Sequence, residues 1–420
     1  MADHSATRIP AIKVPARLTF AGLALGLAGG MLIVGSPLET PVLAVARPLG
    51  ALWLRALQMT IVPLVAGLLF TGIVQTVAAA QAGAMARRTL GLFALVLTGG
   101  TIMAALLTPL LLELAPIPQG AAAALAGQAG TDPGPVPTFA DLAASLIPEN
   151  VFAAAASGAM VPLIVFVALF AIAATRLPEA PRQQLAGLFA AVAGAMMVVI
   201  GWVLALTPLG VFALALGVAA ASGSAAIGAL AHYIVLVGVN GLIVLIAAYA
   251  IAVLAARRPL GAFARAALPA QTVAFSTQSS LASLPAMLAA CRDLGLRESS
   301  ADFVLPLAVA LFRATSPAMN LAVAIYAAHL TGVELTPAVL AAGAGVALLT
   351  TFGSVSLPGT ISFVASVGPI ALAMGVPLAP LALLVAVEML PDIVRTVGNV
   401  TMDIAVAATA DRAGTTRLRS

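Results

Sequence analysis

Long apolar runs with short polar punctuation set the pattern of this chain. The runs near 17–36, 56–80, 89–113, 151–175, 184–221 and 232–256 each suffice to cross a hydrocarbon core, which takes about 20 residues of helix. They predict six membrane spans. After about residue 260 the runs shorten and are interrupted by Gly, Pro and Ser. QTVAFSTQSSLASLPAML (271–288) sets a Ser/Thr/Gln core between two short apolar arms, and LLTTFGSVSLPGTISFV (348–364) repeats the design. Neither arm spans alone. Non-helical backbone at membrane depth persists only where protein or a wet cavity surrounds it, so each stretch predicts a re-entrant hairpin with a buried tip.

Between the hairpins, LPLAVALFRATSPAMNLAVAIYAAHL is a span interrupted near Pro317. Proline offers no N–H to the carbonyl four residues back, so the Arg313 carbonyl is expected to be free as a ligand. Beyond the second hairpin, EMLPDIVRTVGNVTMD (388–403) carries four formal charges in an otherwise apolar region. On a helix at about 100° per residue, Glu388, Asp392, Arg395, Asn399 and Asp403 share one face, flanked by Thr396. A single Asp or Arg at mid-membrane costs about 2.5–3.5 kcal/mol on insertion scales, so this face is expected to meet protein, water or ligand rather than lipid.

Composition agrees. Of 420 residues, 62% are hydrophobic and 8% charged, against roughly 25% charged in a soluble domain. The net charge of +4 comes from Arg, because Lys13 is the only lysine, and the charges flank apolar spans without forming a basic face. This argues against nucleic acid as a partner. With a cytoplasmic N-terminus (Arg8, Lys13, Arg17), Arg87, Arg88, Arg176, Arg182, Arg257, Arg258, Arg265, Arg412, Arg417 and Arg419 fall on the same side, as the positive-inside rule requires. Arg47 is the exception. The Ala/Gly/Pro-rich connection 113–141, without Lys or Arg, is then expected outside. The apolar start is read as a first membrane helix rather than a leader, since AVA at 44–46 lies far beyond a normal leader core. One cysteine, Cys291, and three scattered histidines leave no disulfide and no metal-ligand spacing. No cofactor is expected beyond a sodium ion or proton as coupling ion.

Paired interrupted segments point to a transporter site. Arg395 offers a planar fork suited to a carboxylate, and Asp392 an acceptor for an ammonium group. An acidic amino acid answers both, whereas a plain dicarboxylate leaves Asp392 less well explained. An intramembrane hydrolase with Ser279 or Ser280 as nucleophile lacks an adjacent base. A channel would need a ring of like charges. A ligand-binding receptor stays open.

These segments resemble the glutamate/aspartate and dicarboxylate:cation symporters along nearly the whole chain. LGALWLRALQMTIVPLVAGLLFTGIV (49–74), PENVFAAAASGAMVPLIVFVALFAIA (148–173) and TPLGVFALAL (207–216) look like the family's second, fourth and fifth helices. SSLASLP (279–285) and GSVSLPG (353–359) match its hairpin tips, and DIVRTVGNVTMD its last-helix signature. The resemblance implies an all-α polytopic membrane protein of eight transmembrane helices plus two re-entrant helical hairpins, with inverted repeats, a homotrimeric assembly and elevator-type movement. It implies substrate binding by Ser279, Ser280, Thr315, Ser356, Pro358, Gly359, Asp392, Arg395, Thr396 and Asn399, with Arg395 on the side-chain carboxylate and Asp392 on the amino group.

The implied organisation is an N-terminal tail with scaffold helices 1–2 over 1–88, helices 3–4 over 89–182 with an outer loop at 114–140, helices 5–6 over 183–257, a transport core over 258–412 and a cytoplasmic tail over 413–420. The core comprises hairpin 1 at 262–292, broken helix 7 at 300–330, hairpin 2 at 337–372 and helix 8 at 376–410.

Two departures stand out. Where the family's seventh helix carries Asn-Met-Asp-Gly-Thr, this chain has Pro317, Ala318, Met319, Asn320 and Leu321; in the third helix ALVLTGG (94–100) keeps Thr98 but lacks the family's tyrosine and serine. Arg313 replaces a family glycine whose carbonyl serves a sodium site shared with Asn399 and Asp403. The expectation is that its guanidinium pairs with Asp403 and substitutes for a transported cation. Glu388, Asp392 and Asp403 against Arg313 and Arg395 leave a net −1, suited to a substrate ammonium or a proton. Glu388 is the candidate proton carrier, because apolar surroundings disfavour a charged carboxylate. The function expected is secondary active transport of aspartate/glutamate or C4-dicarboxylates in a bacterial inner membrane, termini cytoplasmic, with altered or absent sodium coupling. The alternative is a receptor, or an uncoupled uniporter or anion-conducting homologue.

Overall fold

Lipid offers no partner to a backbone N–H or C=O, so an apolar chain closes its hydrogen bonds inside helices. The computed structural model describes residues 16–81, 83–118, 147–157, 159–222, 225–353 and 359–416, and the regular structure among them is helical throughout. Glu39–Gln81, Ala84–Leu114, Glu179–Ala205, Ile227–Leu254 and Glu298–Thr331 are each long and apolar enough to cross a membrane. The protein is an integral membrane protein.

The first half supplies an outer frame. α1 (Ala16–Ile33) and α2 (Glu39–Gln58) are followed by α3 (Ile61–Gln81) and α4 (Ala84–Leu114). The run expected at 151–175 forms α5 (Val151–Ser157) and α6 (Met160–Ala174). That at 184–221 divides at Leu206 into α7 (Glu179–Ala205) and α8 (Thr207–Ser222). Pro208 lies in the first turn of α8, where a missing N–H loses nothing. α9 (Ala225–Leu254) closes this half.

α1 backs closely onto α8. A Cβ at Gly22, Gly26 or Gly30 would lie 2.4, 2.6 and 2.4 Å from the carbonyl oxygens of Pro208, Phe212 and Leu216. Small residues every fourth position are how membrane helices approach without a water-driven hydrophobic force. In α4 the inward residues Phe93, Leu97, Thr101, Ala104, Thr108 and Leu112 recur every three or four positions. Leu95 and Leu106, about 70% exposed on the isolated chain, face the opposite way, toward lipid.

The second half holds the interrupted elements. Hairpin 1 is α10 (Leu260–Thr277) and α11 (Ser280–Asp293), turning at Gln278–Ser279. Hairpin 2 is α14 (Pro337–Gly353) and α15 (Gly359–Ala373), its tip lying outside the described residues. Between them, α12 (Glu298–Leu311) and α13 (Ser316–Thr331) form the broken span. The interruption falls at 312–315 rather than at Pro317. Pro317 sits in the first turn of α13, whereas Phe312 is extended and stacks on Phe93 of α4 at 4.1 Å between ring centroids. The Arg313 carbonyl is not free: it accepts from Ser316 N–H at 2.9 Å.

The last helix, expected to be continuous over 376–410, is α16 (Ala379–Leu384) and α17 (Met389–Thr416), joined by a turn at 385–388. The N–H groups of Ala386, Val387, Glu388 and Leu390 bond three residues back instead of four. This tight 3₁₀ pattern precedes Pro391, which has no N–H to give the Val387 carbonyl; Leu390 supplies it instead, at 3.1 Å. α13 is buried on all sides from Ser316 to Ala328, and so is α17 from Val400 to Ala408. These two helices are the centre of the core.

Candidate binding site

Arg395 of α17 is the hub of the site. Its Nη1 lies 2.7 Å from Glu388 Oε1 and 3.2 Å from Asp392 Oδ1. Tyr233 of α9 donates to the other Glu388 oxygen at 2.6 Å. Tyr233 and Glu388 are 0% exposed, Arg395 2% and Asp392 5%. An ion stripped of water costs several kcal/mol unless paired, and here two acids flank one corner of a single guanidinium. Among the described residues the opposite edge has no partner: Arg395 Nε and Nη2 are buried without a hydrogen bond. Two parallel N–H donors on one edge of a guanidinium match the two oxygens of a carboxylate.

The helix break is stitched to the same face. Thr315 N–H and Oγ1 each donate to Asn399 Oδ1 at 2.9 Å, and Oγ1 also lies 3.1 Å from the Arg395 carbonyl. The break approaches this closely because position 398 is glycine; a Cβ there would lie 2.6 Å from Thr315 Cγ2. Asn399 Oδ1 is thereby filled, leaving its N–H₂ group for a ligand. Thr396 Oγ1 donates to the Asp392 carbonyl at 2.9 Å, so only its oxygen is left to accept.

Hairpin 1 delivers its tip to the start of α17. Gln278, in the left-handed region at φ 51°, donates from Nε2 to the Met389 carbonyl at 3.2 Å. Ser279 Oγ caps α11 by accepting from Ala282 N–H at 3.2 Å, and Ser280 opens the helix. Gly359 opens α15, while Ser356 and Pro358 lie outside the described residues.

The ion pair expected between Arg313 and Asp403 does not form. Among the described residues Arg313 makes no ion pair within 4.0 Å, its Nε is unpartnered, and both Asp403 oxygens are unpartnered at 0% exposure. Thr315 fixes the break opposite Asn399, one turn of α17 before Asp403, and the two charged side chains stay more than 4.0 Å apart. Glu388 also departs from expectation: it sits in the turn before α17 yet reaches the stripe through Arg395. Sequence reasoning missed Tyr233 and Gln278. Tyr233 is a polar-tipped ring in an apolar run, a weak signal; Gln278 stood in plain sight in the polar core of its hairpin.

A sequence model described as the sodium:dicarboxylate symporter family matches residues 16–413. The chain belongs to that family. Its members are transporters rather than enzymes. Among its relatives are a proton/sodium-glutamate symport protein of Bacillus subtilis, 27% identical over 91% of this chain and 88% of the relative, and a proton/glutamate-aspartate symporter of Escherichia coli, 26% identical over 84% and 82%. A C4-dicarboxylate transport protein of Rhizobium etli is 26% identical over 86% and 82%.

Proposed function

We propose that this protein is a secondary active transporter that carries a small acid, either aspartate/glutamate or a C4-dicarboxylate, across the bacterial inner membrane. The observation that carries the reading is the Nε–Nη2 edge of Arg395, buried and without a partner among the described residues, in the region where the tip of hairpin 1 and the broken helix meet α17. The relatives named above transport acids of these two kinds. In this reading Arg395 takes one carboxylate, Asp392 accepts an ammonium where one is present, and Ser279, Ser280, Thr396 and the Asn399 amide complete the shell with the second tip at Ser356, Pro358 and Gly359. The chain works as a homotrimer of eight transmembrane helices and two re-entrant hairpins, both termini cytoplasmic, its core over 258–412 moving as an elevator against the helices before it.

Coupling centres on Asp403. A buried carboxylate without a partner needs a proton or a bound cation, and Arg313 supplies a fixed positive charge only at a distance. Sodium dependence is therefore weaker than in a symporter with a full cation site, and a proton on Asp403 or Glu388 can drive uptake. The test is uptake of labelled aspartate and succinate into liposomes under separate sodium and pH gradients. Uptake driven by a pH gradient without sodium is the expected result; strict dependence on several sodium ions per substrate overturns this coupling. Saturable binding without counterflow would instead mark a receptor.

A further inference from the structure

We propose that the corner between α9 and α10 binds an anionic phospholipid of the inner leaflet. The inference rests on the proposed orientation, with both termini cytoplasmic, which sets this corner at the cytoplasmic face. Arg257 and Arg258 occupy the corner itself, between Leu254 at the end of α9 and Leu260 at the start of α10. Two further arginines reach it. Arg412 of α17 donates from Nη1 to the Ala255 carbonyl at 2.6 Å, and Arg265 folds back along α10 to donate from Nε to the Gly261 carbonyl at 3.2 Å. No Asp or Glu occurs in the sequence between Glu179 and Asp293 to offset them. The acid beside Arg412, Asp411, is committed to α12, where it accepts from Arg297 Nε and Ser300 Oγ, both at 2.7 Å. Among the described residues Arg257, Arg258 and Arg265 make no ion pair within 4.0 Å, and Arg258 Nε is buried without a partner.

The surface beside the corner decides which kind of anion fits. On α10 the inward residues are Phe263, Ala266, Ala267, Ala270 and Ala274. The exposed stripe Gly261, Arg265, Leu268, Thr272 and Phe275 recurs at four, three, four and three residues, which is one face of a helix. Leu268 and Phe275 are 59% and 61% exposed on that face, and Leu254 and Leu260 are exposed at the corner. Cations at the head of an apolar stripe match a molecule with the same division, a phosphate headgroup above acyl chains. Guanidinium groups pair with phosphate through two parallel N–H bonds, and basic clusters just cytoplasmic of membrane helices gather anionic lipid. A soluble phosphate would use the arginines and leave the stripe uncovered.

The experiment is native mass spectrometry and thermal melting of the purified full-length protein in detergent, with phosphatidylglycerol, phosphatidylcholine or inorganic phosphate added. The variants are Arg257→Gln/Arg258→Gln/Arg265→Gln, the exposed single changes Arg257→Gln and Arg265→Gln, and, as a control for general attraction, Arg176→Gln/Arg182→Gln around the turn between α6 and α7. Elution volume establishes that each variant folds. The expected result is that wild type retains phosphatidylglycerol about tenfold or more over phosphatidylcholine and melts several degrees higher with it. The triple variant loses both effects, each single change loses part, and the control pair keeps them. Equal retention of the two lipids, retention by the triple variant, or the same loss in the control pair overturns the proposal. So does full stabilisation by inorganic phosphate alone, or a dimer that the triple variant abolishes, which would give the face to a second copy. Labelling of Arg257→Cys in a Cys291→Ala background with a membrane-impermeant reagent tests the orientation separately. Reaction from the outer side defeats the orientation and the proposal together, whereas an inner-side corner without lipid preference defeats the proposal alone.

Discussion

Removing one hydroxyl tests how the site holds its arginine. In Tyr233→Phe the ring stays, including its edge-on contact with Tyr326 at 5.4 Å between centroids, and only the 2.6 Å bond to Glu388 Oε2 is lost. Glu388 is fully buried, so water cannot replace the donor. A hydrogen bond to a charged group contributes about 1.5–3 kcal/mol, which corresponds to about 10- to 150-fold in an equilibrium constant if all of it is felt at the binding step. Because Glu388 lies against Arg395 Nη1 at 2.7 Å, loosening it lets the fork rotate away from its binding orientation. Tyr233→Phe is expected to weaken acid binding by tenfold or more, measured by calorimetry, with a modest fall in melting temperature. Glu388→Gln alone and the double variant complete a cycle, in which the double variant should bind no worse than Glu388→Gln. Wild-type affinity in Tyr233→Phe, or additive losses across the cycle, would refute the idea that Tyr233 acts through Glu388.

Three other substitutions probe the supports of the site. Gly398→Ala gains about 1 kcal/mol of helix propensity but sets a methyl 2.6 Å from Thr315 Cγ2, an overpacking that costs about 1–3 kcal/mol; a lower melting temperature and weaker binding are expected. Gln278→Ala removes the bond from the hairpin tip to the Met389 carbonyl, about 1 kcal/mol, and should lower affinity several-fold in the same calorimetric assay without unfolding the protein. Gly26→Ala presses a methyl to 2.6 Å from the Phe212 carbonyl; backbone cannot yield as a side chain does, so thermal stability should fall while acid affinity of the folded fraction stays unchanged.

The apolar runs and the three-four-four spacing from Asp392 to Asp403 were legible because both are local. Spacing alone placed Asp392, Arg395, Asn399 and Asp403 on one face of α17, and the polar cores of 271–288 and 348–364 marked two hairpins. What lies beyond local pattern was not legible. The Tyr233–Glu388 bond joins residues 155 positions apart. The break falls at Phe312 instead of Pro317 because Phe93, on another helix, stacks there and Thr315 bonds to Asn399. That anchoring also keeps Arg313 apart from Asp403, an opposite-charge pair that any reading of charge alone would join. The turn at 385–388 was in principle visible from Pro391, whose missing N–H tightens the chain just before it.

The central claim is that the empty edge of Arg395 receives a substrate carboxylate. The most direct measurement is the affinity of the purified protein for succinate and aspartate in wild type, Arg395→Lys and Arg395→Ala, at fixed pH and sodium. Loss of both ligands in Arg395→Ala, with only partial recovery in Arg395→Lys because a point charge cannot reproduce the two-donor edge, is the result predicted. Retention of wild-type affinity for either acid in a folded Arg395→Ala protein would contradict the account.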